Sequence, residues 1–247
     1  LATAILLLFT LVYLARTQDV YASLVAPLKT VLASWRHVMH IGVPAMITNA
    51  IIPVSSAIVV AMVATFGVDS VAGYGVAMRI EPMFLLPFYA LSAVTSPFFG
   101  QNFGAGHYDR LLEARRVIAR FSLAFGLGLA VLLILVSKPL TGLFSSDAAI
   151  QDVAVHYLRI VTLSYGAYGL VMSVNAAFNG MGKPLPGVVI SGCRVIVVFL
   201  PLAFLGKQLF GLYGLFGATL LSNLLLGAVG FAWLGYQVRL ARENRAA

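Results

Sequence analysis

Charged residues are scarce in this sequence of 247 residues: they make up only 10% of it, whereas apolar residues make up 61%. A water-soluble domain of this length needs a more polar shell around its core. The composition therefore excludes an ordinary soluble protein and predicts a protein whose solvent is lipid. Acidic residues are the scarcest, with 8 against 16 basic residues, and the net charge is +8.

Cysteine and histidine are also rare. The single cysteine, Cys193, excludes an internal disulfide and any metal site built from several cysteines. The four histidines, at positions 37, 40, 107 and 156, do not have the spacing of metal ligands or of a catalytic triad. Because the sequence also lacks a nucleotide-binding fingerprint, we expect neither an enzyme nor a bound metal or organic cofactor.

Long apolar runs dominate what the sequence does contain. A helix needs ~20 apolar residues to cross a bilayer, and six runs are long enough. They cover residues 41–65, 71–99, 117–136, 153–178, 188–205 and 212–236. None alternates like a strand, and hydrocarbon cannot satisfy the open edge of a sheet. The sequence therefore predicts an all-α integral membrane protein with a lobe of six transmembrane helices at 41–236.

The segments that flank this lobe have a different character. Residues 1–15 are apolar but too short to span, and we interpret them as the truncated end of a transmembrane helix from a missing N-terminal lobe. Within 16–40, apolar residues recur at helical spacing from residue 20 onward, which predicts an amphipathic linker helix on the cytoplasmic membrane surface. Residues 237–247 form a basic tail.

Basic residues are concentrated in alternate connections between the runs. If the connection before residue 41 is cytoplasmic, that side holds Arg16, Lys29, Arg36, Arg110, Arg115, Arg116, Arg120, Lys183, Arg239, Arg242 and Arg245. The other side holds only Lys138 and Lys207, with Arg159 nearby. This positive-inside bias explains the net charge without nucleic-acid binding. We expect a multi-pass protein of the plasma (inner) membrane with the linker and the C-terminus in the cytoplasm.

Polar residues inside a span usually face a neighbouring helix or a water-filled cavity. In the first run Asn49, Pro53 and Ser56 share one stripe, at i, i+4 and i+7. Pro53 removes a backbone hydrogen bond and predicts a bend. The stripe is either a packing surface with a kink or the wall of a substrate cavity with a hinge.

The second run carries Arg79 and Glu81, followed by the candidate hinges Pro82 and Pro87. Arg79 could reach the membrane interface while Glu81 pairs with another helix, or both could join a charge network that responds to ion binding. Glu81 is the only carboxylate well inside a run, so it is the candidate proton carrier. Arg194, in the fifth run, either reaches the interface or joins the same network.

The fourth run presents a face of aromatic and amide side chains, formed by Tyr165, Tyr168, Met172, Asn175 and Asn179. Such a stripe is either helix packing or the lining of a substrate cavity. Aromatic faces attract cations and methionine adapts to varied shapes, so a cavity of this kind suits amphipathic organic compounds.

A glycine-rich segment, GQNFGAG at 100–106, separates the second run from the third. It lacks the GK[ST] ending of a phosphate loop and follows a membrane helix, so we predict a tight structural turn instead. Gly100, Gln101 and Gly104 are the positions that we assign to this loop.

Together these motifs resemble the C-terminal half of multidrug and toxic compound extrusion (MATE) transporters. The resemblance rests on YGVAMRIE at 74–81 and SPFFGQNFGAG at 96–106, supported by IGVP at 41–44, YLRI at 157–160 and NGMGK at 179–183. It implies a twelve-helix protein of two lobes, of which this chain supplies one. It also implies export of cationic or other amphipathic organic compounds in exchange for protons or sodium, by alternating access of the two lobes.

The likeness also bears on the coupling ion. NorM-like members carry cation-binding carboxylates in their seventh and tenth helices, but the matching runs here, 41–65 and 153–178, contain no Asp or Glu. The chain therefore resembles the DinF-like branch, whose key aspartate lies in the first helix, which is absent here. A lipid-linked saccharide flippase of the same superfamily and a non-transporting membrane scaffold are the alternative functions.

Overall fold

The computed structural model describes residues 6, 8–10, 12–13 and 27–246. Residues 6, 8–10 and 12–13 are helical. The remainder of the predicted helix end at 1–15, and residues 16–26 of the predicted linker, lie outside the described residues.

Seven α-helices make up residues 28–246: α1 Leu28–Ala64, α2 Val68–Ala105, α3 Tyr108–Gly142, α4 Ala148–Val161, α5 Tyr165–Gly180, α6 Leu185–Gly192 and α7 Leu200–Ala246. A 3₁₀ turn, Thr162–Ser164, joins α4 to α5, and a π-helical turn, Cys193–Phe199, joins α6 to α7. Five helical segments in the described part of the chain are long and apolar enough to cross a membrane. The last has 61 residues and is interrupted at Gly211, so it supplies two of the six expected spans. The predicted all-α membrane fold is confirmed.

The chain forms two compact units, Leu1–Gly42 and Val43–Ala247. We predicted that a linker helix ends at residue 40 and that the first span begins at 41, whereas the structure has one helix, α1, over this stretch. The sequence between Arg36 and Ile47 contains no Ser, Thr, Asp or Asn that could cap a new helix start. A new helix start therefore has no capping side chain, and α1 continues through Gly42 and Pro44, which are residues that often mark the end of a helix.

The core of the second unit is aromatic and aliphatic. Ile80, Leu158, Tyr165 and Phe216 are fully buried in one cluster. A second cluster surrounds Phe99, Leu111 and Phe178, which are also fully buried. These clusters hold α2, α3, α4, α5 and α7 together and so fix the positions of the polar side chains between them.

Glycine allows several of these helices to touch backbone to backbone. A Cβ atom added at Gly166 would lie 2.6 Å from the carbonyl oxygen of Ser122 in α3, and one added at Gly126 would meet the Gly166 backbone even more closely. A Cβ atom at Gly206 would lie 2.5 Å from the Gly214 carbonyl oxygen. Since eight residues of straight helix span ~12 Å, this contact shows that α7 doubles back at Gly211.

The predicted loop at 100–106 is mostly helical, and that prediction was wrong. Gly100, Gln101 and Gly104 lie in the last turns of α2, and the chain turns only at Gly106, which has φ 78°. Gly106 donates its backbone N–H to carbonyl groups of the preceding turn, which is the usual helix ending at glycine. Gly100 serves packing, because a Cβ atom there would lie 2.8 Å from the Gly180 carbonyl oxygen.

The prolines that we predicted as hinges lie inside continuous helices. Pro53 is in α1, and Pro82 and Pro87 are in α2. The residue before Pro82 therefore stays helical, although proline disfavours that conformation in its neighbour. As a result, Arg79 and Glu81 keep the orientations of a regular helix.

Candidate functional site

A cavity of about 230 Å³ lies in the second unit between α1, α2, α5 and the segment that begins in α6. Helix α5 supplies Tyr168, Met172, Asn175 and Asn179 to its wall, and α1 supplies Asn49. The four α5 residues follow the i, i+4, i+7, i+11 spacing of one helical stripe. The structure thus brings most of the predicted cavity residues to one wall.

Two of the predicted cavity residues lie elsewhere. Tyr165 is fully buried in the core, because the 3₁₀ turn Thr162–Ser164 places it at the very start of α5. Ser56 lies within hydrogen-bonding reach of Tyr74 and is not part of the cavity wall. The residues of the fourth-run stripe therefore line the cavity from Tyr168 onward, whereas Tyr165 does not.

Hydrogen bonds to neighbouring helices orient the polar part of this wall. The Asn175 Nδ2 group donates to Ser191 Oγ of α6 at 2.9 Å, and Ser92 Oγ of α2 donates to the Met172 carbonyl oxygen at 3.3 Å. Within the described residues, Asn175 Oδ1 is buried and has no hydrogen-bond partner. This oxygen faces Gly187 of α6, where an added Cβ atom would lie 3.3 Å from it.

Arg194 contributes the only charged side chain among the wall residues that the structure describes. It lies at the start of the π-helical turn, a kind of irregularity that is frequent at functional sites. Its Nη1 donates to Asn223 Oδ1 of α7 at 2.9 Å, and its Cζ lies 5.1 Å from the ring centroid of Tyr168. Arg194 therefore points into the bundle instead of reaching the interface.

A short chain of hydrogen bonds anchors this arginine. Asn223 Nδ2 donates to Ser164 Oγ at 3.0 Å, and Ser164 Oγ donates to the Val161 carbonyl oxygen at 2.7 Å. Asn223 and Ser164 are both buried. Our sequence reasoning missed Asn223, although an asparagine inside the apolar sixth run is the kind of signal that could have identified it.

Glu81 is not among the wall residues, but it lies close enough for its charge to act on Tyr89 and Tyr168 of the wall. The Tyr157 hydroxyl of α4 donates to Glu81 Oε2 at 2.8 Å, and the Tyr157 ring packs edge-on against Tyr74, with centroids 5.4 Å apart. Arg79 is exposed, and no ion pair joins it to Glu81 in the part of the chain that the structure describes. Arg79 therefore lies outside the predicted charge network, whereas Glu81 lies near enough to Arg194 for their opposite charges to attract each other.

Comparison with known proteins places the chain among transporters. The MatE family model matches residues 44–205. A FAD transporter of Shewanella oneidensis is 35% identical over 195 residues, which are 79% of this chain and 43% of that protein. The multidrug export protein MepA of Staphylococcus haemolyticus is 25% identical over 225 residues, which are 90% of this chain and 49% of that protein.

A solved transporter structure also has a fold similar to that of this chain. The Vibrio cholerae MATE transporter VcmN in its bent form superposes with a TM-score of 0.79 and 29% sequence identity, covering 91% of this chain and 49% of that protein. This chain thus spans about half the length of the relatives that it matches.

Proposed function

The chain belongs to the multidrug and toxic compound extrusion (MATE) family, and on that premise we propose that it forms the C-terminal half of a secondary transporter in the plasma membrane. The transporter exports amphipathic organic compounds in exchange for protons or sodium. Its N-terminal lobe of six further helices completes the substrate path. The family assignment favours this function over the membrane scaffold.

The cavity wall is the observation that carries the proposal. Aromatic, thioether and amide side chains from α5 meet at one surface, with Asn49 of α1 opposite them. Transporter sites typically lie at the interface between repeats, near the middle of the membrane. A wall of this kind fits an organic compound with both apolar and polar parts.

We assign the coupling role to Glu81, with the proton as the coupling ion. Glu81 is partly buried within a span, and its hydrogen-bond partner is the neutral Tyr157 hydroxyl. A carboxylate that is held by a neutral donor inside the membrane can release and take up a proton during a transport cycle. The Tyr157 contact would then link the protonation of α2 to the position of α4.

The test uses the full-length protein in an efflux-deficient bacterial strain loaded with a fluorescent organic cation. We expect an uncoupler to abolish dye efflux by the wild type. We also expect Glu81→Gln to reduce dye efflux at least tenfold. The matched control is Glu113→Gln, which removes an exposed carboxylate at the beginning of α3. Wild-type efflux in Glu81→Gln at equal membrane expression would place the coupling site in the N-terminal lobe instead.

Export of a flavin dinucleotide is the second candidate function. The relative that favours it is the FAD transporter of Shewanella oneidensis, which is 35% identical to this chain. FAD combines aromatic ring systems with a pyrophosphate, so it is also amphipathic. Secretion of FAD by cells that express the full-length protein, measured by flavin fluorescence of the medium, distinguishes this substrate from organic cations.

A further inference from the structure

The charge of the cavity wall points to one chemical class of substrate. Arg194 carries a permanent positive charge. No Asp or Glu lies among the wall residues that the structure describes, and the nearby Glu81, which attracts Arg194, has the Tyr157 hydroxyl as its hydrogen-bond partner. A cationic substrate in this cavity would approach a like charge in a medium of low dielectric constant, which is unfavourable. An anionic group would experience the opposite effect.

The hydrogen bonds of Arg194 lead to the same conclusion. A guanidinium group has five N–H donors, and Asn223 accepts from Nη1. Arg194 Nε is buried and has no hydrogen-bond partner within the described residues. An unpaired donor of a partly buried cation is costly, and a carboxylate or phosphate at the guanidinium group would offset this cost with short, charge-assisted hydrogen bonds.

The groups beside Arg194 suit the remainder of such a molecule. Tyr168 lies beneath the guanidinium group and Tyr89 forms another part of the same wall, so both can pack against an aromatic ring. At about 230 Å³ the cavity accommodates one end of a drug-sized compound, and the rest would extend toward the other lobe.

We propose that Arg194 is a specificity-determining residue that seats the anionic group, carboxylate or phosphate, of an aromatic substrate, with Tyr168 packing against the adjoining ring. This inference rests on the proposed export function and narrows its substrates. The anchoring contacts of Asn223 and Ser164 hold the guanidinium group in place before the substrate arrives. Because the guanidinium group is already held in place, substrate binding loses less side-chain conformational entropy.

The experiment compares two dyes that share a tricyclic xanthene core. Fluorescein is an anion at neutral pH and rhodamine 123 is a cation. Binding of each dye to the purified full-length protein in nanodiscs is measured by fluorescence polarisation. The variants are Arg194→Gln, Arg194→Lys and, as a matched loss of one positive charge outside the cavity, Arg120→Gln on the exposed surface of α3.

We expect Arg194→Gln to weaken fluorescein binding roughly 10- to 100-fold, the effect of one charge-assisted hydrogen bond. Rhodamine binding should stay unchanged or become tighter. Lysine at this position should restore part of the fluorescein affinity, because it keeps the charge but loses the planar fork. Arg120→Gln should behave like the wild type toward both dyes.

A further variant serves in case Arg194→Gln does not fold. Asn175→Asp is nearly isosteric and adds a carboxylate to the same wall. The Ser191 hydroxyl, which accepts from Asn175 Nδ2 in the wild type, can instead donate to this carboxylate. It should weaken fluorescein binding and strengthen rhodamine binding. Thermal unfolding of each variant identifies those that are folded.

Three results would overturn the inference: a wild-type protein that does not bind fluorescein, fluorescein affinity that is unchanged in folded Arg194→Gln, or an equal loss of both dyes. The last result would indicate that Arg194 shapes the cavity or pairs with a carboxylate of the other lobe. Efflux assays of the same dyes in cells separate the two proposals. Arg194-dependent binding without efflux supports the anion site and refutes export, whereas rhodamine efflux without fluorescein binding does the reverse.

Discussion

Two glycines in α3 provide a direct test of how tightly this helix packs. Gly126 faces α5 and is buried, whereas Gly128, two residues later, is exposed. A Cβ atom at Gly126 would collide with the backbone of Gly166, but one at Gly128 would meet nothing within 4 Å. We therefore expect Gly126→Ala to destabilise the protein and Gly128→Ala to leave it unchanged or slightly more stable.

The size of the effect on stability depends on which atoms the added Cβ would contact. Alanine in place of glycine stabilises a helix interior by roughly 0.5–1 kcal/mol, and both variants share this gain. Only Gly126→Ala adds a clash, and the obstacle is the backbone of a packed helix instead of a flexible side chain. Overpacking of a core typically costs about 1–3 kcal/mol, so the two variants should differ by that amount.

The assay is unfolding of the full-length protein, transferred from a mild detergent into increasing fractions of sodium dodecyl sulfate and followed by tryptophan fluorescence. Gly126→Ala should unfold at a lower fraction than the wild type, and Gly128→Ala at the same or a higher fraction. Equal midpoints for the two variants would refute the close contact between α3 and α5. A lower midpoint for Gly128→Ala alone would show that its face packs against the other lobe.

Three further changes have expected outcomes in the same unfolding assay. Gly211→Ala should destabilise the protein by about 1–3 kcal/mol, because φ 59° and ψ −134° suit glycine alone. A variant as stable as the wild type would contradict the fold-back of α7. Asn223→Leu should lower the free energy of unfolding by about 1–3 kcal/mol, because Arg194 and Ser164 lose their shared hydrogen-bond partner. An unchanged unfolding midpoint would show that this anchor is dispensable. Asp147→Ala should lower the free energy of unfolding by about 0.5–2 kcal/mol, because Asp147 Oδ1 caps α4 by accepting from the Ala149 backbone N–H at 2.8 Å. Dye efflux per folded molecule should not change.

The spans could be predicted because lipid imposes a simple rule on the sequence. Each apolar run is helical in the structure, although a 3₁₀ turn interrupts the fourth run, a π-helical turn interrupts the fifth, and the helix ends differ from those predicted. The segment at 100–106 was misinterpreted because glycine has two physical uses that look alike in a sequence. One is a positive φ, as at Gly106, and the other is the absence of a side chain where helices touch, as at Gly100.

The cavity could be predicted only in part. Helical spacing places Tyr168, Met172 and Asn175 on one stripe, so sequence reasoning identified that wall. The position of Arg194 depends on a π-helical turn and on Asn223, which lies 29 residues further along the chain. Neither a local change of helical pitch nor a long-range partner is encoded in the periodicity of a single run.

The fold-back of α7 has a consequence for how this protein enters the membrane. A single residue, Gly211, connects the two helical rods, and the contact between Gly206 and Gly214 leaves no room for side chains between them. Because no loop separates the two rods, insertion of one constrains the position of the other. We therefore expect the spans on either side of Gly211 to enter lipid together as a helical hairpin.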